Sequence, residues 1–240
     1  MSQFVLITGA SGGIGQAIAL QLAKEGYNLY LHYYKNEKTL MGLLEQLQMY
    51  QGEYIPVQGD LSESNDYRKI TSNIFALDAI VHCGGQSHYG LLTDIDEVEV
   101  EAMLKVHVSA PLVLTKLLLP KLINKRKGNI IVISSIWGQT GGAYEVAYST
   151  VKGAQISFVK ALSKEVALNG IRVNAIAPGA INTLMNSHLS EEDISLINEE
   201  IPMGRLGRPE EVANGVSFLL SEKASYITGQ VLAINGGWYT

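Results

Sequence analysis

Cysteine is nearly absent. The 240-residue chain has one, Cys83, which excludes an internal disulfide framework and any metal site built from several thiolates. Charge is also sparse. Only 17% of residues are Asp, Glu, Lys or Arg, below the roughly 25% of average proteins, while 47% are hydrophobic, so a disordered chain is excluded. There is no basic excess: 18 Lys and Arg stand against 23 Asp and Glu, a net charge of −5, and general nucleic-acid binding is not expected. The longest apolar stretch, around Pro111 to Leu119, is broken by Lys116 and is too short to span a bilayer. The opening residues, Met-Ser-Gln-Phe-Val-Leu-Ile-Thr-Gly, carry no basic region and read as no signal peptide. A cytoplasmic protein without a membrane anchor is expected. Repeats, low-complexity stretches and Pro/Ser-rich linkers are missing too, which argues for one domain over 1–240.

What is present is alternation. Apolar, β-rich runs at Phe4–Thr8, Leu29–His32, Tyr54–Gln58, Ala79–Cys83, Ile130–Ser134, Arg172–Ile176 and Val231–Ile234 read as seven strands. Between them, helical spacing appears over Ile14–Glu25, Leu40–Met49, a long region from Val98 to Ile123, Val146–Leu168 and Pro209–Leu220. Such alternation predicts an α/β fold, a parallel sheet with helices on both faces. The polar, acidic segment from Ile181 to Met203 breaks the rhythm. It is either a lid over the carboxyl ends of the strands or a surface insertion.

The 24 glycines are unevenly placed. Thr8-Gly9-Ala10-Ser11-Gly12-Gly13-Ile14-Gly15 joins the first strand to the first helix. Glycines there let the backbone turn tightly and approach a pyrophosphate, and the helix N-terminus offers free N–H groups and a positive dipole end. Asp60-Leu61 follows the third strand, where the Asp either accepts from an adenine amino group or caps the next helix. His82-Cys83-Gly84-Gly85 closes the fourth strand; Gly84 and its neighbour either leave room for a ribose or simply turn the chain.

Tyr148 and Lys152 are four residues apart early in a long helix and so share a face. Ser135, at the end of the preceding strand, can reach the same crevice. The set suits carbonyl reduction. A free phenol has a pKa near 10, a nearby ammonium lowers it, and a hydroxyl can hold the substrate oxygen.

From end to end the chain resembles the short-chain dehydrogenase/reductase family. The motifs T-G-x-x-x-G-x-G, the strand-end Ser and Y-x-x-x-K occur in order, followed by Asn174, Pro178-Gly179, Thr183, Thr228-Gly229-Gln230 and Asn235-Gly236-Gly237. Within the family it is most similar to the 3-oxoacyl-acyl-carrier-protein reductase group. Its Ser134–Gly138 and Lys152–Gln155 segments, with His107, resemble reductases of the 5-aminopentanone modification on elongation factor P. The resemblance implies a Rossmann-type, doubly wound sheet, a nicotinamide cofactor, a homotetramer, and a ketone substrate carried on acyl carrier protein or on elongation factor P. It assigns Tyr148 as general acid, Ser135 as the group positioning the oxygen, and Lys152 to the nicotinamide ribose and to lowering the Tyr148 pKa. Gly9, Ser11, Gly13, Ile14 and Gly15 would cradle the pyrophosphate. Asp60 and Leu61 would flank the adenine, and Pro178, Gly179, Ile181 and Thr183 would face the nicotinamide.

The departures carry the substrate question. His107 stands where the family has an Asn supporting a relay water. It either holds that water or relays protons itself, or it bonds to a backbone carbonyl. Trp137, Tyr144 and Glu145 cluster at the expected substrate entrance, where Glu145 either pairs with a cationic substrate group or is solvated. Lys125, Arg126 and Lys127 either dock an acidic carrier or form a solvated helix end. The second strand ends His32-Tyr33-Tyr34-Lys35-Asn36 with no acid at the turn, so Tyr33 and Lys35 are expected at the adenosine ribose, where Lys35 either meets a 2′-phosphate, pointing to NADPH over NADH, or is merely exposed. The aromatic C-terminal segment from Tyr226 packs at a subunit interface or completes the core.

Overall fold

In the computed structural model, which describes residues 3–184 and 190–240, seven strands form one parallel sheet in the order β3-β2-β1-β4-β5-β6-β7. The strands are β1 (Phe4–Thr8), β2 (Asn28–Tyr33), β3 (Tyr54–Gln58), β4 (Ala79–His82), β5 (Gly128–Ile133), β6 (Ile171–Pro178) and β7 (Val231–Ile234). Alternate side chains of each strand enter opposite cores. Val5 and Ile7 of β1 pack against helices α1 (Gly13–Lys24), α2 (Glu37–Leu47) and α9 (Pro209–Leu220). Leu6 faces the other way, with α3 (Ser64–Ser72), α5 (Ala110–Lys125) and α7 (Val146–Val166). The expected three-layer, doubly wound architecture is therefore present. All strand ends that bear motifs lie on one edge, the carboxyl edge, where ligands bind in such folds.

Three helices lie outside the stretches of helical spacing read from the sequence, one of them the single turn α6 (Trp137–Thr140). α3 buries only Tyr67 and Ile70, too few for a clear apolar stripe. α8 (Glu191–Glu200) buries nothing and is held by a capping box between Ser190 and Asp193. It occupies part of the 181–203 excursion; residues 185–189 of that expected lid lie outside the described residues.

The long region expected from Val98 to Ile123 is broken. α4 (Glu97–Leu104) passes into a π turn, Lys105–Ser109, before α5 begins. Its cause is Pro111, which has no N–H for the carbonyl four residues back, that of His107, and whose ring crowds that carbonyl. By length and apolar composition the run Glu97–Lys125 would suffice to cross a membrane. Here Met103, Leu114, Leu118 and Leu122 are instead buried in the protein.

Candidate active site

The glycine turn is held from three sides. Gly9 has φ +67°, and a side chain there would sit 2.6 Å from the Gly84 Cα, so the ends of β1 and β4 touch backbone to backbone. Thr8 Oγ1 accepts from the amides of Cys83 (3.1 Å) and Gly84 (3.2 Å). His32, buried at the end of β2, accepts the Gly9 N–H on Nδ1 at 3.1 Å and donates from Nε2 to the Gly59 carbonyl at 3.1 Å. Burial pushes its pKa down to about 4, so the ring is neutral, as these two bonds require. A methyl group at Gly13 would meet Thr183 Cγ2 at 2.9 Å, which brings the Ser11–Gly15 turn beside the Pro178–Thr183 segment. This open backbone cradle at the α1 N-terminus fits a dinucleotide pyrophosphate.

The adenine end is mixed. Asp60 spends Oδ1 on the Ser62 amide (2.8 Å) and hydroxyl (2.7 Å), a turn ahead of the α3 N-cap, Glu63, so it does not cap that helix. Burial raises its pKa, but the bonds from Ser62 and Tyr34 and the Lys35 charge outweigh it, and the net shift is downward. Tyr33 is buried in the core with α1 and α2, whereas Tyr34 and Lys35 are exposed, Lys35 Nζ lying 4.6 Å over the Tyr34 ring. Leu61 and Ile181 are buried at 7% and 5% exposure, Leu61 against Gly84 and Ile181 against Gly207.

Ser135 lies close enough to Tyr148 for its hydroxyl to lower the phenol pKa, and its Oγ accepts the Trp137 N–H at 3.2 Å. Lys152 Nζ lies 5.4 Å from the Tyr148 ring centroid and donates to the Ile133 carbonyl at 2.9 Å. Ser134 Oγ donates to the Lys152 carbonyl at 2.9 Å and ties the end of β5 to α7. The Tyr148 pKa differs from the expectation. Burial first, and Glu145 second, hold it above its ordinary value, and the Ser135 hydroxyl only partly offsets them. Burial also lowers Lys152, to about 8.

His107 sits in the π turn, 1% exposed, its ring edge-on to Tyr148 at 5.8 Å. Its Nε2 faces the Gln86 backbone, 2.7 Å from the carbonyl and 3.1 Å from the N–H, the backbone-bonded alternative. Burial and the Lys152 charge push its pKa down to about 3, so it is neutral and a cationic relay through it is not favoured. Gly85 is bare for a different reason from the ribose passage expected: a side chain there would strike His107 Cε1 at 2.5 Å.

The expected substrate entrance is aromatic. Tyr144, at φ +62°, stacks on Tyr89 at 5.5 Å, and its carbonyl accepts from the Gly90 amide at 2.8 Å. Trp137 packs edge-on against Trp238 (5.5 Å) and Tyr239 (6.1 Å), so the C-terminal aromatics complete their own chain's site, while Tyr226 is fully exposed. Sequence reading missed His32, Tyr89 and Gln155. Only Gln155 left a signal, as a polar residue on the buried face of α7.

The basic run lies elsewhere. Lys125 pairs with Asp78 (2.9 Å) and Lys127 with Glu222 (2.7 Å), at the amino end of β5, opposite Ser135. Among the described residues, no cluster of His, Cys, Asp and Glu is suited to a metal ion.

Comparison with known proteins agrees with this geometry. The sequence model described as enoyl-(acyl carrier protein) reductase matches residues 9–239. An oxidoreductase of Bacillus subtilis strain 168, YmfI, is 52% identical over the full length of both chains. The 3-oxoacyl-acyl-carrier-protein reductase FabG of Aquifex aeolicus is 39% identical over 98% of this chain and 96% of its own. A putative NAD(P)-dependent gluconate 5-dehydrogenase of Beutenbergia cavernae, solved with NADP, superimposes with a TM-score of 0.93 at 28% identity, covering 98% and 96% of the two chains. Fold, motif order and these relatives converge: the chain is an NAD(P)-dependent oxidoreductase and belongs to the short-chain dehydrogenase/reductase family.

Proposed function

We propose that the protein reduces a ketone to a secondary alcohol with NADPH. The observation that carries this reading is Lys152 Nζ 5.4 Å from the Tyr148 ring centroid, with Ser135 beside the phenol, next to the glycine cradle. A bound reduced nicotinamide would supply the hydride to the carbonyl carbon. Ser135 holds the ketone oxygen, and Tyr148 Oη delivers its proton to that oxygen, leaving a phenolate. Lys152 stabilises that negative charge. Lys35, exposed beside Asp60, supports a cofactor with a 2′-phosphate, and the NADP in the Beutenbergia relative points the same way.

Two substrates follow from the resemblances. The names of the FabG relatives support a 3-oxoacyl group on acyl carrier protein. Glu145 favours the second, an amine-bearing ketone such as the 5-aminopentanone modification on elongation factor P. Its carboxylate sits close enough to Tyr148 to oppose phenolate formation, and a substrate ammonium would neutralise it. The neighbouring segment adds Asp96, Glu97 and Glu99, the last bonded to His88 at 2.9 Å, two residues before Gly90, which contacts Tyr144. Lys125 and Lys127 are in ion pairs at the far end of the sheet and so offer an acidic carrier no complementary charge at this mouth. A cytoplasmic homotetramer remains part of the reading, and exposed Leu104 and Leu112 on α4 and α5 supply apolar surface for assembly. The test is NADPH oxidation with a 3-oxoacyl thioester and, separately, with the amine-bearing ketone. Preference for the second supports modification of the translation factor; turnover of the thioester alone assigns fatty-acid synthesis.

A further inference from the structure

Among the described residues, two that are not glycine have positive φ: Arg126, which caps the C-terminus of α5, and Tyr144. A left-handed residue is ordinary at a helix C-cap. Tyr144 caps no helix, and a bulky side chain in that conformation stores strain. Two contacts hold it there. Its ring stacks on Tyr89 at 5.5 Å, and its carbonyl accepts the Gly90 amide at 2.8 Å. Glycine would adopt this backbone freely, so the ring at 144 is kept at a cost.

Contacts on both sides lead from this pair to the phenol. Tyr144 runs through Glu145, whose carboxylate acts on Tyr148, into α7. The loop before it is tied down by the Gly142 amide, which donates to Ser149 Oγ at 3.0 Å, and by the Trp137 indole, which fills the space of a side chain at Gly142. On the other side Gln86, three residues before Tyr89, bonds to His107, whose ring is edge-on to Tyr148 at 5.8 Å. The contacts form a collar that starts and ends at Tyr148. It passes through His107 and Gln86 to Tyr89, crosses the stack to Tyr144, and returns through Glu145.

Both rings of the stack are open to solvent, Tyr89 at 65% and Tyr144 at 49% exposure. An aromatic face attracts a cation through its quadrupole. The surroundings favour the same sign. From Tyr89 to Leu104 the chain has five acids, Asp94, Asp96, Glu97, Glu99 and Glu101, and no Lys or Arg. This one segment matches the net charge of −5 of the whole chain, and its field draws cations to the collar.

We propose that Tyr89 and Tyr144 form an ammonium subsite. The cationic group of the substrate packs on their open ring faces, with the Glu145 carboxylate as counter-charge, and the site selects a primary alkylammonium chain over a neutral or anionic one. The proposal rests on the ketone-reductase reading and assigns the recognition of the amine-bearing substrate to the two rings.

The test uses the full chain with NADPH and two ketones that differ at one end, one carrying a primary amine and its isostere a methyl group. Tyr89→Leu and Tyr144→Leu are expected to lower kcat/KM for the amine-bearing ketone about three- to tenfold more than for the isostere. Tyr89→Phe and Tyr144→Phe keep the ring faces and are expected to keep the preference. A purely structural collar lowers both ketones alike and moves the melting temperature. Binding is read apart from turnover by saturation-transfer NMR of n-pentylamine, which is expected to contact the wild type and to lose that contact in Tyr89→Leu. Equal losses for the two ketones in Tyr89→Leu, or undiminished pentylamine binding by it, overturn the proposal. If Tyr144→Leu does not fold, Tyr89→Leu, a change at an exposed loop residue, decides alone. A wild type inert toward every ketone that still binds pentylamine through Tyr89 overturns the reductase reading and leaves the subsite standing.

Discussion

His32 Nδ1 accepts the amide proton of Gly9 at 3.1 Å, and the same imidazole donates to the Gly59 carbonyl. One buried ring thereby fixes the glycine turn to the end of β3, joining the pyrophosphate and adenine ends of the cradle. His32→Leu leaves a buried N–H and a buried carbonyl unpaired, a cost of about 1–3 kcal/mol. NADPH affinity is expected to fall about tenfold, read by fluorescence titration, with kcat preserved at saturating cofactor. Unchanged affinity would assign His32 to the core alone.

Three histidines are buried and neutral: His32 at a pKa of about 4, His82 and His107 at about 3. Burial is the leading cause in each case, and all three lie below the ordinary value of 6.5. Below pH 6.5 the unfolded chain therefore binds protons that the folded chain refuses, so stability falls as pH drops toward 4 and is regained as pH rises through 6.5. Each contributes on the order of 1 kcal/mol per pH unit in that window. Urea denaturation midpoints from pH 7 to 4.5 should decline steeply. His82→Gln should flatten the decline, since Gln can still bond to Thr115, which His82 Nε2 meets at 2.8 Å.

Removing the Glu145 charge separates its two roles. Glu145→Gln should raise the KM for an amine-bearing ketone several-fold and leave that for a neutral ketone unchanged. In the oxidative direction, which needs the phenolate, the rise of activity with pH should begin at lower pH, because the carboxylate that holds Tyr148 up is gone. Identical KM values for both ketones would remove Glu145 from substrate recognition.

Cofactor choice rests on Lys35. Lys35→Ala should weaken NADPH binding about three- to tenfold and leave NADH binding unchanged, as expected for an exposed charge on a phosphate. Equal losses for both cofactors would mean that the side chain only shapes the loop.

Much of this was legible in the sequence, for physical reasons. The seven strands announced themselves because a parallel sheet covered on both faces needs continuous apolar runs. The glycine turn and the Ser135, Tyr148 and Lys152 set were legible because each needs particular residue types at a fixed spacing. α3 and α8 were not, because helices with two or no buried residues have no apolar stripe. The π turn was hidden because the long apolar run from Val98 to Ile123 reads as one helix, although Pro111 marked its cause. The direction of the Tyr148 shift was misread because spacing reveals the Lys152 neighbour but not the burial and the Glu145 carboxylate that outweigh it. His32 looked like one more strand residue, since only the fold brings Gly9 and Gly59 to its two nitrogens.

The most direct test of ketone reduction through Tyr148 is the initial rate of NADPH oxidation by wild type and Tyr148→Phe, with the amine-bearing ketone and a 3-oxoacyl thioester as substrates. The account predicts turnover of at least one ketone by wild type and a loss of about 10²–10⁴-fold in Tyr148→Phe with NADPH binding intact, the scale of a lost general acid. Undiminished turnover in Tyr148→Phe, or none by wild type with either ketone, would contradict it.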